Sequence, residues 1–369
     1  MVVLTVVSVT VMAVAGLGLA IARSRHATTP NLRKRAHRRH DHLAMGLTLL
    51  IVSSAALLLG SSVLALQEVL PNPSPLLIGI LIGGVFLLFH AILSSMVVLF
   101  RWATRRRLQL NAPRFVLRNA AVTGLVYLVA GLGIVGLATV LPNSSALWVG
   151  IPVVVAAFPL FEIAVKPWLL FPKSIEPDHF SHNLDAIKQW VRQTAPLQLG
   201  RIRMAVIPGD LVNAFATGTA WTGRWIVLGG GLVRHMNASQ LRSVAAHELA
   251  HLIRRDVPKL IVLAVVAGVC HVVILKLGVF PLYDAGRYFT ASMLGGLSAA
   301  FLLGVTPGLI TQRIELATDK LGAKLTGDPE AACSALVLLA SLNRLPIDQG
   351  SLTHPPVRKR LEAIRAATK

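Results

Sequence analysis

Residues 237–258 read NASQLRSVAAHELAHLIRRDVP. Asn237 with Gln240 three residues on is a capping-box signature, so a helix starts here. Leu241, Val244, Ala245 and Leu249 recur at helical spacing. The helix is expected to run toward Asp256 and to end at Pro258. Within it, His247, Glu248 and His251 form the pattern HELAH. Positions i and i+4 lie one above the other on a helix face. Both imidazoles can therefore reach one metal ion, with Glu248 beside it as a proton acceptor. The competing reading is a helix face with two exposed histidines and an ion pair from Glu248 to Arg254 or Arg255.

A catalytic zinc takes three protein ligands and keeps one open position. Asp256, placed on the same helix, is expected to be too far along it to fold back. The segment QRIELATDK at 312–320 carries Glu315 and Asp319, again one turn apart. Glu315 is the candidate third ligand. Asp319 is placed to accept the other ring N–H of a ligating histidine and so fix its tautomer. A helix salt bridge to Arg313 or Lys320 is the plainer alternative for this pair, worth about 0.3–0.5 kcal/mol.

Between His251 and Glu315 lies an apolar stretch, one of several. The chain is 54% hydrophobic and 14% charged, against roughly 25% charged in soluble domains. Seven runs are long enough to span a bilayer: 2–22, 43–66, 76–100, 119–141, 147–170, 259–281 and 288–310. The first lacks a basic leader and carries Arg23 and Arg25 after it, which suits an anchor with its N-terminus outside. Basic residues crowd alternate connections, from Arg33 to Arg39 and from Arg101 to Arg118, whereas 67–75 and 142–146 have none. The positive-inside rule puts the basic sides, and with them 171–258 and 311–369, in the cytoplasm. The expected organisation is a membrane domain of five spans at 1–170, a first catalytic part with the zinc helix at 171–258, a two-span hairpin at 259–310, and a second catalytic part with the third ligand at 311–369. The hairpin returns the chain to the face it left, so the sequence gap between His251 and Glu315 is no obstacle.

The net charge of +20 is placed between apolar runs, where lipid headgroups lie, and no RNA-binding signature accompanies it. No nucleic-acid partner is expected. Cys270 and Cys333 read as separate buried thiols. Residues 179–194 read as an amphipathic helix with Leu184, Ile187, Trp190 and Val191 on one side. Residues 201–207, 212–217 and 224–229 read as strands. Glu162 with Lys166 is expected to be an interfacial ion pair, and His90 and His271 to be core histidines or cavity polar groups. The fold class is thus a predominantly α-helical multi-pass membrane protein of about seven spans, with a small α+β domain on the cytoplasmic side.

Five motifs in order resemble the HtpX-like and CAAX-prenyl-protease-like integral-membrane zinc metallopeptidases, a gluzincin group. They are NAFATG at 213–218, RWIVLGGGLV at 224–233, AAHELAHLIRRD at 245–256, RIELATD at 313–319 and THPPVRKR at 353–360. Thr318 stands where that group often has alanine. The resemblance implies a zincin-like catalytic domain with one zinc ion per chain, held by His247, His251 and Glu315, and Glu248 as general base then acid. It implies that Asn213, Ala214, Phe215 and Ala216 form an edge strand holding extended substrate. It also implies that His354 stabilises the oxyanion and that Arg360 buttresses the site. From the residues alone, Asn213 can equally be a turn residue, His354 a proline-ordered loop residue and Arg360 a solvated charge. The expected activity is endopeptidase cleavage of peptides or of unfolded membrane proteins, in quality control or processing, by a protein of the cell membrane. A CAAX-type processing protease and a signal transducer of the β-lactam-sensor type are the alternatives, the latter weakened by short external connections.

Overall fold

The capping box forms as written: the Asn237 side chain accepts from the Gln240 N–H, and the Gln240 side chain accepts from the Asn237 N–H. The computed structural model describes residues 181–207, 211–220, 223–279, 281–282, 285–343, 345–348, 350 and 353–367. The first five expected spans, with Glu162, Lys166 and His90, lie outside the described residues. Those described belong to two compact units, 181–267 with 303–367 in one and 268–302 in the other.

The first unit opens with helix α1 (Ser181–Thr194). Its Leu184, Ile187 and Val191 are buried, as the amphipathic spacing requires. Three strands follow, β1 (Ile202–Ile207), β2 (Ala214–Thr219) and β3 (Gly223–Gly229), in the order β1-β3-β2. β1 runs parallel to β3 and β2 antiparallel to it, which leaves β2 at an edge. A short helix α2 (Gly230–His235), not expected from the sequence, leads into α3 (Ala238–Ile253).

Helix α3 is the centre of this unit. Ala245, Ala246, Leu249 and Ala250 are fully buried in it. The small alanines among them admit α6 (Thr306–Thr326) at close range. The approach is tightest at Gly322, where an added Cβ would lie 3.1 Å from both the Cα and the N of His247. Helices α7 (Pro329–Leu342) and α8 (Val357–Ala366) pack beside α6.

One boundary differs from the sequence expectation. α3 stops at Ile253, and Arg255 takes a left-handed φ of +56°. A new helix, α4 (Asp256–Ile274), begins at once. Pro258 sits in its first turn, where no intrahelical N–H is needed, and therefore starts a helix instead of ending one. The apolar run 288–310 is helical at every residue, as α5 (Tyr288–Ala299), a π-helical stretch (Ala300–Val305) and the start of α6, which follow one another directly. Residues 256–279 form the one helix among those described that is long and apolar enough to cross a membrane. In the unit 268–302, His271 Nδ1 lies 3.0 Å from Ser298 Oγ, which donates to the Gly295 carbonyl.

Candidate metal centre

The helical spacing of His247 and His251 brings their rings edge to face, with centroids 4.8 Å apart. α6 crosses α3 at this level and delivers Glu315. Its Oε2 is 3.6 Å from His247 Nε2 and its Oε1 is 3.4 Å from His251 Nε2. One donor atom from each residue falls within 4.8 Å of the others. Zinc bonds of about 2.0–2.1 Å in a tetrahedron put neighbouring ligand atoms about 3.3 Å apart. The two histidine–glutamate separations, one to each carboxylate oxygen, lie near that edge, so this donor set is compatible with one zinc-sized cation.

Both Nε2 atoms face the centre because each Nδ1 is held from behind. His247 Nδ1 is 3.0 Å from Asp319 Oδ1. Arg360, from α8, donates through Nε and Nη2 to the two oxygens of Asp319, each at 2.7 Å, and its Nη2 lies 3.3 Å from Glu315 Oε2. His251 Nδ1 is 3.1 Å from Asp256 Oδ2. Arg254 Nε donates to that same oxygen at 3.0 Å, and Lys259 Nζ to Oδ1 at 3.3 Å. Asp256 is wholly buried.

Asp256 is the residue the sequence reading set aside. On one continuous helix, five residues on, it would point away from His251. The left-handed Arg255 breaks the helix and turns the carboxylate back. The signal was available in Pro258: an acid two residues before a proline suits the first turn of a new helix.

The field of these carboxylates favours positive charge at the centre. Burial alone would lower the His247 pKa, but hydrogen bonds to Asp319 and Glu315 outweigh it and push it up to about 10. Burial would raise Glu315, yet the two histidines and Arg360 hold it well below the usual carboxylate range. Glu248 goes the other way. Burial raises its pKa and Glu315 adds to that, against the pull of the histidines. A carboxyl tuned upward is suited to taking and returning a proton.

A cavity of about 320 Å³ opens in front of these groups, with Asn213 to Ala216 on one wall and Leu336 and Leu339 of α7 on another. The register divides the β2 wall. Gly229 N–H donates to Asn213 C=O at 2.8 Å, so that pair is hydrogen-bonded across β2 and β3. Antiparallel pairs alternate. Phe215 thus also turns its backbone to β3, whereas Ala214 and Ala216 turn theirs to the open edge. The Ala216 N–H there donates to the Glu248 carboxylate. The open edge of β2 therefore presents the N–H and C=O of Ala214 and the C=O of Ala216, while the Asn213 backbone is turned to β3. Asn343, which the sequence reading passed over, ties the lead-in to β2 by donating to Val212 C=O at 3.0 Å. His354 stands at the rim, its Nε2 4.0 Å from Glu315 Oε2 and its Nδ1 2.9 Å from Thr353 Oγ1.

Comparison with known proteins points the same way. The family model of peptidase family M48 matches residues 183–368. A protease HtpX homolog of Pyrococcus furiosus is 29% identical over 191 residues, 44% of this chain and 66% of that protein. Protease HtpX of Hydrogenovibrio crunogenus is 27% identical over 240 residues, 56% of this chain and 79% of its own length. The chain thus spans about two thirds to four fifths of these relatives. The crystal structure of S. mikatae Ste24p shares the fold, with a TM-score of 0.50 over 97% of this chain and 98% of that one, at 16% identity.

Proposed function

The chain belongs to peptidase family M48, and on that premise we propose that it is a membrane-embedded zinc endopeptidase. One observation carries the reading: the Glu315 carboxylate sits within 3.6 Å of both imidazole Nε2 atoms, beside the buried Glu248. His247, His251 and Glu315 would hold one zinc ion. Zinc, when bound, supplies Lewis acidity that makes water nucleophilic near neutral pH.

The remaining roles fall to the chain itself. Ala214, through its N–H and C=O, and Ala216, through its C=O, pair with an extended substrate backbone, a recognition mode that reads main chain more than side chain. Glu248 accepts a proton from the attacking water and returns it to the leaving amine. His354 donates to the developing oxyanion. Asp319 and Arg360 keep His247 and Glu315 in place.

Placement in the cell membrane rests on the apolar helix 256–279 and on the Ste24p-like fold. An outside N-terminus, five spans in 1–170, a hairpin at 259–310 and a cytoplasmic domain made from 171–258 and 311–369 complete the arrangement. The substrates that suit an edge strand are unfolded or membrane-derived polypeptides, as in quality control.

The test is Glu248→Gln in the detergent-solubilised full chain. Cleavage of an unfolded protein such as casein should be lost while one zinc per chain is retained. Wild-type cleavage by this variant would overturn the mechanism.

A further inference from the structure

The two histidines are supported by adjacent residues of α6. Asp319 serves His247. Thr318, one position earlier, faces His251 and Asp256. It is wholly buried. Its Oγ1 lies 2.8 Å from Ile314 C=O, 3.2 Å from Asp256 Oδ2 and 3.4 Å from His251 Nδ1.

A threonine hydroxyl has one proton to give. Given to Ile314 alone, it would leave two acceptor oxygens facing each other at 3.2 Å in a place closed to water. Such a contact is costly where the dielectric is low. Given to Asp256, or shared between Asp256 and Ile314, the proton anchors Oδ2, the oxygen that receives His251 Nδ1–H. The other donors to Asp256 are less constrained. The Arg254 side chain is 28% exposed and that of Lys259 is 56% exposed, so water competes for both. Thr318 is the fully buried hydroxyl at this carboxylate.

We propose that Thr318 is a positioning residue for the second histidine ligand. Its hydroxyl fixes Asp256 against His251 Nδ1, and His251 Nε2 is thereby kept aimed at the metal centre. The sequence reading gave this threonine no role. The inference rests on the metal-centre reading above and deepens it: this chain supports His251 with a hydroxyl–carboxylate pair, and His247 with a guanidinium–carboxylate pair.

The experiment measures zinc affinity of the metal-free full chain by chelator competition, with no reference to activity. Thr318→Val and Thr318→Ala should bind zinc about tenfold or more weakly, the scale of a lost outer partner. Thr318→Ser, which keeps the hydroxyl, should recover most of that loss. Adding Thr318→Val to Asp256→Asn should weaken binding no further than Asp256→Asn alone, because the hydroxyl acts through the carboxylate. If Thr318→Val does not fold, the comparison of Thr318→Ala with Thr318→Ser carries the test. Wild-type affinity in the alanine and valine variants, while His251→Ala loses zinc, overturns the role of Thr318 and leaves the metal centre standing. Full additivity of the double variant overturns it too. A wild-type chain that takes up no zinc overturns both readings.

Discussion

Arg360 and Asp319 form a two-pronged ion pair, 2.7 Å at each prong, across 41 residues of sequence. The pair closes α8 onto α6 behind His247. Both partners are buried, so without Arg360 the Asp319 carboxylate would keep His247 as its ionic partner, and without Asp319 the guanidinium would keep only Glu315.

Arg360→Ala should destabilise the protein by less than the roughly 3–5 kcal/mol of a wholly unpaired buried charge, because His247 still faces Asp319. Arg360→Lys should recover part of this, since a lysine supplies charge without the fork. Denaturant midpoints of the metal-free variants check the order. Equal stability of the alanine variant and wild type would count against the pair.

Gly322→Ala sets two effects against each other. Alanine gains about 1 kcal/mol of helix propensity. Its Cβ, however, would press on the His247 backbone at 3.1 Å, and overpacking costs about 1–3 kcal/mol. The second effect should win, and α6 should move off α3. Zinc affinity should fall along with the melting temperature, because Glu315 rides on α6. A more stable variant with unchanged affinity contradicts this.

The pH dependence follows from His247. Its pKa is raised from 6.5 to about 10 in the metal-free site, by carboxylates that outweigh burial. A raised pKa stabilises the folded metal-free protein fully below about pH 6.5, and that contribution disappears as pH climbs toward 10. Zinc must displace the same proton, so apparent zinc affinity should rise with pH across this window. Denaturation of metal-free protein at several pH values, with His247→Ala as the control lacking this slope, tests the first part. Zinc titrations in the same buffers test the second.

The division of β2 gives opposite expectations for neighbouring residues. Ala214→Pro removes an N–H from the open edge, where proline is tolerated. The sheet should survive while KM for an unfolded substrate rises, on the scale of one hydrogen bond, about 0.5–1.5 kcal/mol. Phe215→Pro removes an N–H that faces β3 and should destabilise the sheet. Thermal melts beside KM values distinguish the two, and a reversal of the pattern would show the register to be wrong.

Much of this was open to a reader of one dimension. HELAH needs only helical periodicity to align His247 and His251. Glu315 with Asp319 repeats the trick one helix later. Asn237 and Gln240 cap α3 as their spacing requires. The buried side of α1 follows from Leu184, Ile187 and Val191. Family membership could be read from five ordered motifs. The failures share a cause. Asp256 was misplaced because a single left-handed residue, Arg255, redirects the chain, and an arginine carries no local signature for that conformation. Thr318 looked inert because its partners are 62 and 67 residues away.

Local spacing alone determined which residues could share a helix face, and so supplied the two histidines, the base and the carboxylate pair as separate groups. Only the tertiary structure decided that α6 crosses α3 at His247, through the gap left by Gly322, and that α4 turns Asp256 back onto His251. The reason is physical. Periodicity acts over one or two turns of helix, whereas a metal centre requires side chains from different elements to meet within about 2 Å of a common point. That meeting is set by how closely the backbones can pack.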